Sequence, residues 1–245
     1  MLDTSTMRQP NVTAGLFGYT PIPKLETSVF RKELRHRSII SYAIPSERVR
    51  ALLPIEFEAG ETTRLSIESF LDSGRTSFEQ TNFRLHVSLQ GQPCSWLLGM
   101  SLGSLSGVTA RHLYPLPWHL SAMEFQVALD STTDRYKKYR LSTQSQWASA
   151  DWEIVDSGLP MRAETPLEVT DFFVRRDGEI GSYQTIHQSS LATRGQLKAG
   201  RCDWLNSLGL LSAPELQHPT SVVLQRAVAC EIKPAIQSVG VGLAM

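Results

Sequence analysis

The first group of residues able to do chemistry lies on an alternating, strand-like run. Gln80, Asn82, Arg84 and His86 are each separated by one residue, and Phe83 and Leu85 fall between them. Side chains two apart share one face of a strand. A polar face is usually solvated, but inside a barrel its aligned donors could bind the oxygen atoms of a ligand. Periodicity alone does not separate these two interpretations.

The second group lies in residues 110–120, where two prolines stiffen a segment rich in polar and aromatic side chains. His119 is the acid-base candidate, because the unperturbed pKa of histidine is near neutrality. Arg111, like Arg84, offers forked donors for a carboxylate or enolate oxygen. Tyr114 would orient a substrate and Trp118 would form an apolar wall. The alternative is a rigid structural crossing with a buried tryptophan.

Two further motifs favour structural roles. Residues 99–103 match the GxSxG pattern of a hydrolase nucleophile, with Ser101 in the centre. However, the chain lacks the alternating strands and helices of such a hydrolase, so we expect an ordinary strand end. Lys137 and Lys138 are adjacent, and one ammonium can lower the pKa of its neighbour for Schiff-base chemistry. Their polar surroundings predict a solvated strand or turn instead.

Cofactor signatures are absent from the sequence. No glycine-rich dinucleotide motif or phosphate-binding loop is present, and the six histidines form no HExxH or His-x-His pair. We therefore expect no cofactor and no metal, although ligands from distant positions could still converge.

Composition narrows the class of protein. The chain of 245 residues carries 24 basic and 24 acidic side chains, which gives no support for a nucleic-acid partner. No apolar run reaches the roughly 18 residues of a membrane span. The first residues lack the apolar segment of a secretory signal, and three dispersed cysteines do not suggest a disulfide framework. We expect a cytoplasmic protein with a small-molecule substrate, and a homo-oligomer is left open.

Many short strands suggest a β-rich barrel or sandwich. Turn signals include residues 158–160, and residues 77–89 and 94–102 should form an antiparallel pair. Short helices are expected after Pro45, with Ser46 as N-cap, at 106–114 and at 201–211. Residues 1–24 should be an extended lead-in and 25–245 a single domain. The other predicted strands are 36–44, 62–71, 121–130, 135–147, 150–156, 171–177, 180–190 and 219–232.

The order of several motifs resembles a bacterial family of unknown function in the acetoacetate decarboxylase-like superfamily. This resemblance implies a mostly β member of the α+β class: a large, closed or cone-shaped antiparallel β-barrel with peripheral helices and a ligand cavity. The matching segments, within residues 36–190, are 44–54, 80–87, 91–93, 110–123 and 172–176, followed by His187.

The sequence departs from the decarboxylases of that superfamily at two places. Their Schiff-base lysine follows a proline, where this chain has Trp118 and His119 after Pro117. Their catalytic glutamate is expected where this chain has Gln80, although Glu79 is adjacent. These departures argue against a Schiff-base decarboxylase unless Lys137 or Lys138 reaches the cavity.

The sequence therefore predicts a cofactor-independent enzyme acting on a carbonyl- or carboxylate-bearing small molecule. The reaction would be that of a lyase, dehydratase, isomerase or shape-driven cyclase of specialised metabolism. His119 and Arg111 are the catalytic candidates, and the substrate-binding ones are Gln80, Asn82, Arg84, Tyr114 and Trp118. The alternatives are a non-catalytic binding barrel and a structural protein filled by its own side chains. If the arginines and histidines face inward, the interior should be locally positive.

Overall fold

A computed structural model describes residues 29–73, 77–105, 116–145, 149–161, 167–175, 178–188 and 190–235. Its helices are short: α1 (Ser46–Val49), α2 (Asp203–Ser207) and 3-10 turns at Arg50–Leu52 and Glu215–Gln217. The strands are β1 (Phe30–Pro45), β2 (Phe57–Glu58), β3 (Thr62–Ser73), β4 (Phe78–Leu89), β5 (Gln92–Leu102), β6 (Trp118–Leu120), β7 (Ala122–Leu129), β8 (Tyr136–Gln144), β9 (Ala150–Met161), β10 (Leu167–Val174), β11 (Ile180–His187), β12 (Ala192–Cys202) and β13 (Ser221–Ala235).

Seven strands close a barrel. They are hydrogen-bonded in the order β1, β3, β4, β5, β10, β11 and β13, and β13 pairs again with β1. The mostly β, closed-barrel prediction is therefore confirmed, as is the antiparallel pairing of β4 with β5. The barrel is not antiparallel throughout, because β5 runs parallel to β10 and also to the short strand β6.

A second sheet covers the outside of the barrel. Strands β12, β9, β8 and β7 continue from the first half of β13. Their apolar side chains, among them Leu141, Trp152 and Ile154, join one buried cluster with Ile67 and Phe83 of the barrel wall. At about 25 cal/mol per Å² of buried apolar surface, this contact between sheets is a main source of stability.

The barrel strands therefore have two buried faces of opposite character. On β4, Phe83 and Leu85 point outward into the apolar cluster, whereas Asn82 and Arg84 point inward, and all four are buried. The inward direction follows from contacts between strands that are not neighbours. Arg84 of β4, for example, reaches Asp171 of β10, and these two strands are separated by β5.

An irregularity in β1 determines which of its side chains face inward. The pairing of β1 with β3 shifts between Arg35 and Ser38, and His36 has a left-handed φ of 50°. Leu34 before this bulge and Arg37 after it both face the interior, although three positions separate them. Strict alternation would have placed Arg37 on the other face.

Several local predictions were wrong. Ser46 does not cap α1: Pro45 precedes the helix, and the Ser46 hydroxyl bonds instead to the Gly60 carbonyl. The helix expected at 201–211 is limited to α2, after which Gly209 has a left-handed φ of 69°. The turn expected at 158–160 lies inside β9.

Strand β12 was not predicted, because its two glycines and three basic side chains interrupt the apolar alternation that marks a strand. The lead-in at 1–24 and the helix expected at 106–114 lie outside the described residues. Cys94, Cys202 and Cys230 are buried free thiols. None of the described helices has the length and apolarity needed to cross a membrane.

Candidate active site

A network of buried charges crosses the barrel interior, with Glu68 of β3 at its centre. Arg37 Nε donates to Glu68 Oε1 at 2.5 Å, and Arg84 Nη1 donates to Glu68 Oε2. Burial alone would raise the pKa of Glu68, but the charges of Arg37 and Arg84 hold it well below its usual value. Glu68 is therefore a carboxylate near neutral pH.

Asp171 of β10 forms one end of this network. Its Oδ1 accepts hydrogen bonds from Arg84 Nε at 2.9 Å and from the Ser95 hydroxyl at 2.5 Å. Its Oδ2 is buried, and no hydrogen bond of acceptable geometry reaches it from the described residues. A carboxylate oxygen left in this state is costly, which marks a place for a ligand or water atom.

Tyr183 of β11 lies opposite Asp171 in the register of the two strands. Arg84 Nη2 donates to its hydroxyl at 3.4 Å. Burial raises the pKa of Tyr183, and the negative charge of Asp171 raises it further. The hydroxyl therefore keeps its proton, so Tyr183 and Asp171 place a donor and an acceptor side by side.

His187 forms the other end of the network. Arg37 Nη2 donates to its Nδ1 at 3.3 Å, and Arg37 Nη1 donates to Gln225 at 2.6 Å. Burial and the nearby Arg37 lower the pKa of His187 to about 3, so the ring is neutral. Because arginine can only donate, Nδ1 is the acceptor and the proton is assigned to Nε2.

A second histidine on the inner face is neutral for the same reasons. His86 Nδ1 accepts a hydrogen bond from Arg64 at 2.9 Å, and its Nε2 lies 2.8 Å from the Ser66 hydroxyl. Burial and the Arg64 charge lower the pKa of His86 to about 3. Nε2 therefore carries the proton and cannot act as a base toward Ser66.

A locally positive interior was expected if the arginines and histidines faced inward, and the described residues do not form one. Arg37 and Arg84 are balanced by Glu68 and Asp171, and the two histidines are neutral. All three nitrogens of each guanidinium are hydrogen-bonded to protein groups. These bonds use three of the five N–H donors of each guanidinium, so a substrate oxygen could accept a remaining Nη N–H of Arg84 without displacing a protein group.

Another ion pair lies on the inner face of β1 and β3. Lys32 of β1 bonds to Asp72 of β3, and its ammonium lies 5.5 Å from the centre of the Phe78 ring. Burial raises the pKa of Asp72, and Lys32 offsets part of that rise. Sequence reasoning missed this lysine, which lies on a strand far from the predicted pair.

Residues 31–227 match a family described as uncharacterized conserved protein, DUF2071. The chain belongs to the DUF2071 family. No curated protein matches its sequence.

Solved structures similar to this DUF2071 protein share its fold at low identity. An acetoacetate decarboxylase-like enzyme from Sphingomonas wittichii RW1 has a TM-score of 0.57 at 8% identity, covering 88% of this chain and 95% of that one. The enduracididine biosynthesis enzyme MppR has a TM-score of 0.55 at 10% identity, covering 86% and 87%. Acetoacetate decarboxylase from Legionella pneumophila has 0.53 at 13%, covering 88% and 90%. The fold is therefore acetoacetate decarboxylase-like.

Three of the predicted site residues of this DUF2071 protein meet on β4. Gln80, Asn82 and Arg84 are buried and face the interior. Gln80 donates to Asn82 at 2.7 Å, and Asn82 donates to Glu68 at 3.4 Å. The carboxylate of the interior therefore comes from Glu68 on the neighbouring strand rather than from position 80.

The other predicted residues are less well placed. Trp118 packs against an apolar cluster that includes Phe173 and Tyr183. His119 follows it on β6, so its side chain leaves the opposite face of that strand. Arg111 and Tyr114 lie outside the described residues. The roles assigned to all seven residues stay predictions.

The structure agrees with structural roles for the GxSxG motif around Ser101 and for the lysine pair Lys137 and Lys138. Ser101 is buried within the extended strand β5, whereas a hydrolase nucleophile stands exposed on a sharp turn. Lys137 and Lys138 are exposed on β8 of the outer sheet, where Lys137 pairs with Asp130 at 3.1 Å. Neither lysine reaches the barrel interior.

Borohydride trapping tests the remaining lysine. Lys32 forms an ion pair with Asp72, which occupies the nitrogen that would have to attack a carbonyl. We expect reduction in the presence of pyruvate or acetoacetate to leave no adduct in the intact mass. An adduct mapped to Lys32, and absent from a Lys32→Met variant, would contradict this expectation.

Sequence reasoning also missed Arg37, Glu68, Asp171 and Tyr183. A weak signal exists for two of them, because Glu68 and Asp171 are single acids inside or beside apolar strand runs. In the described part of the chain, no three side chains of the usual metal-binding types converge on one point.

Proposed function

We propose that this DUF2071 protein is an enzyme that acts, without a cofactor, on a carbonyl-bearing small molecule in the barrel interior. The reaction class is that of a lyase, dehydratase, isomerase or cyclase of specialised metabolism, and not a Schiff-base decarboxylation. The observation that carries the proposal is the buried pair of Asp171 and Tyr183, which lie directly opposite each other on neighbouring strands and place a carboxylate oxygen beside a hydroxyl.

The cost of the network supports a functional role. Removing four charges from water costs several kcal/mol per ion before their mutual attraction is counted. Apolar residues of similar volume would stabilise a barrel interior equally well. Perturbed ionisable groups of this kind cluster at functional sites.

The pair offers a route for proton transfer at a carbon next to a carbonyl. The Tyr183 hydroxyl donates a hydrogen bond to the carbonyl oxygen, and Asp171 Oδ2 removes the proton from the adjacent carbon. The electron pair of the C–H bond moves to the oxygen, which becomes an enolate stabilised by Tyr183. If the proton returns to a different carbon, the substrate is isomerised. If the enolate instead expels a β-substituent with its electron pair, the reaction is an elimination and the product is an unsaturated carbonyl compound.

His187 would contact a different part of the substrate. It lies four residues from Tyr183 along β11, a distance of about 13 Å at the rise of a β-strand. Its Nε2–H would bind a second polar group, so a substrate with oxygen atoms at both ends fits best. The predicted acid-base role of His119 and the role of Arg111 remain part of the proposal.

Deuterium exchange tests this function before the natural substrate is known. The protein would be incubated in D₂O with a panel of 2-keto and 3-keto acids and 3-hydroxy ketones, and exchange at the carbon next to the carbonyl followed by NMR. We expect one class to exchange. We expect Asp171→Asn to slow its exchange by about 100-fold, the lower part of the range for acid-base catalysis.

The controls separate an enzyme from a binding protein. Asp151→Asn removes a carboxylate from an exposed pair with Arg140 and should leave exchange unchanged. Tyr183→Phe should slow exchange with little change in binding. Saturable binding with no exchange or product in any class would instead support a non-catalytic binding barrel.

A further inference from the structure

A concave site lies outside the barrel, where β12 separates from β13. It has a volume of about 900 Å³, within the range of small-molecule sites. Its walls come from β1, β8, β9, β12 and β13 and from the turn before β8. We call it the outer cleft. The residues that matter here are Arg35, His36, Arg135, Tyr136, Leu224 and Arg226.

The outer cleft is separate from the interior network. His36, at the bulge of β1, lines the cleft, whereas the next residue, Arg37, faces the interior. His36 Nδ1 lies 3.1 Å from the Tyr136 hydroxyl, which fixes the two rings edge to face. A ligand in this cleft would therefore contact none of the network residues.

Part of the cleft surface is apolar. Leu224 and Tyr136 are buried at its base, and Leu191 at its rim is 87% exposed. Covering an aliphatic side chain this exposed with the apolar part of a ligand removes apolar surface from water, which favours binding. This apolar surface can contact the apolar part of a ligand, but it cannot bind a charged group.

The cleft also holds three arginines, which differ in their partners. Arg35 pairs with Glu33 and Arg226 with Asp134, and all four side chains are largely exposed. Such surface pairs contribute little and exchange readily. They leave both arginines able to turn toward an anion.

Arg135 differs because its guanidinium has no hydrogen bond or ion pair with any residue that the structure describes, although its backbone carbonyl accepts one from Asp130. Its guanidinium lies against Gly158, where a Cβ would collide with it. The nearby carboxylate of Asp156 forms no ion pair with this guanidinium. It accepts hydrogen bonds from the backbone N–H groups of Tyr136 and Gly158 instead. The formal charges that line the cleft cancel, yet the Arg135 guanidinium bonds to none of the described residues.

We propose that the outer cleft is a binding site for a small organic carboxylate with an apolar body. Arg135 holds the carboxylate through its forked donors, with Arg226 as second donor, and the apolar body lies on Tyr136, Leu224 and Leu191. The site is independent of the chemistry proposed for the interior.

Benzoate and benzamide are matched probes, because they share size and shape and differ in charge. Titration calorimetry of the full chain at low ionic strength should give saturable binding of benzoate, and benzamide should bind at least 10-fold more weakly. Arg135→Gln should weaken benzoate binding at least 10-fold. Its thermal midpoint should stay unchanged, because no partner is lost.

Two controls locate the site. Arg140→Gln removes an exposed arginine of β8, the strand that follows Arg135, that does not line the cleft, and should bind benzoate like wild type. Asp171→Asn should also bind it normally, even if that variant has lost all activity. Equal binding of both probes, retention in Arg135→Gln, or loss in Asp171→Asn would overturn the proposal.

Discussion

Replacing Arg84 by methionine is expected to lower the free energy of unfolding by about 3–5 kcal/mol, as measured by urea denaturation. The side chain neutralises both Glu68 and Asp171, and all three are almost fully buried. Methionine fills much of the volume but leaves Asp171 without its ion-pair partner and leaves Glu68 with Arg37 alone. The loss therefore comes from the uncompensated charges rather than from a cavity.

Arg140→Met provides the matched control. Arg140 also bonds to a carboxylate, Asp151, at 2.7 Å, but both side chains are substantially exposed. Exposed pairs are worth about 0–1 kcal/mol, so the control should lose no more than that. Similar losses in the two variants would show that the interior pair is as well solvated as the surface pair.

The second large effect is a steep loss of stability in mild acid. His86 and His187 have pKa values near 3 in the folded protein, against 6.5 for the free side chain. Between these values the unfolded chain binds protons that the folded chain does not. Stability therefore falls as pH decreases from 6.5 toward 3, by about 1.4 kcal/mol per pH unit for each histidine.

Urea denaturation at pH 7, 6, 5 and 4.5 measures this slope. The double variant His86→Gln/His187→Gln should lose about 2.7 kcal/mol per pH unit of the slope between pH 6 and 4.5. His218→Gln removes an exposed histidine and should leave the slope as it is. Glu68 adds to the loss only at lower pH, because its pKa is depressed: the stability it contributes is lost as pH falls below the ordinary carboxylate range.

Strand β4 shows how far the sequence alone could go. Its period of two predicted correctly that Gln80, Asn82 and Arg84 share a face. It could not predict that this face is interior, because β4 is buried on both sides. The covering sheet comes from residues 122–202, and no local pattern shows which strands that sheet covers.

Local sequence patterns could not predict the buried network either, because its contacts join strands that are far apart in sequence. Its members lie on β1, β3, β4, β10 and β11, and their contacts depend on strand order and register. Arg37 also depends on the bulge at His36, which changes the inward positions of β1. Arg84 was noticed because it lies in an alternating polar run, whereas Arg37 was missed and Glu68 and Asp171 are single acids in or beside apolar strands.

The position of β13 has a consequence for how the chain folds. This strand pairs with β1, β11 and β12, and Arg31 of β1 bonds to Glu231 of β13 across 200 positions of sequence. During synthesis β1 can pair with β3 but must wait for β13 with its other edge open. Contacts of such high sequence separation slow folding and expose strand edges to aggregation. Barrel closure and docking of the outer sheet then become one late, cooperative event.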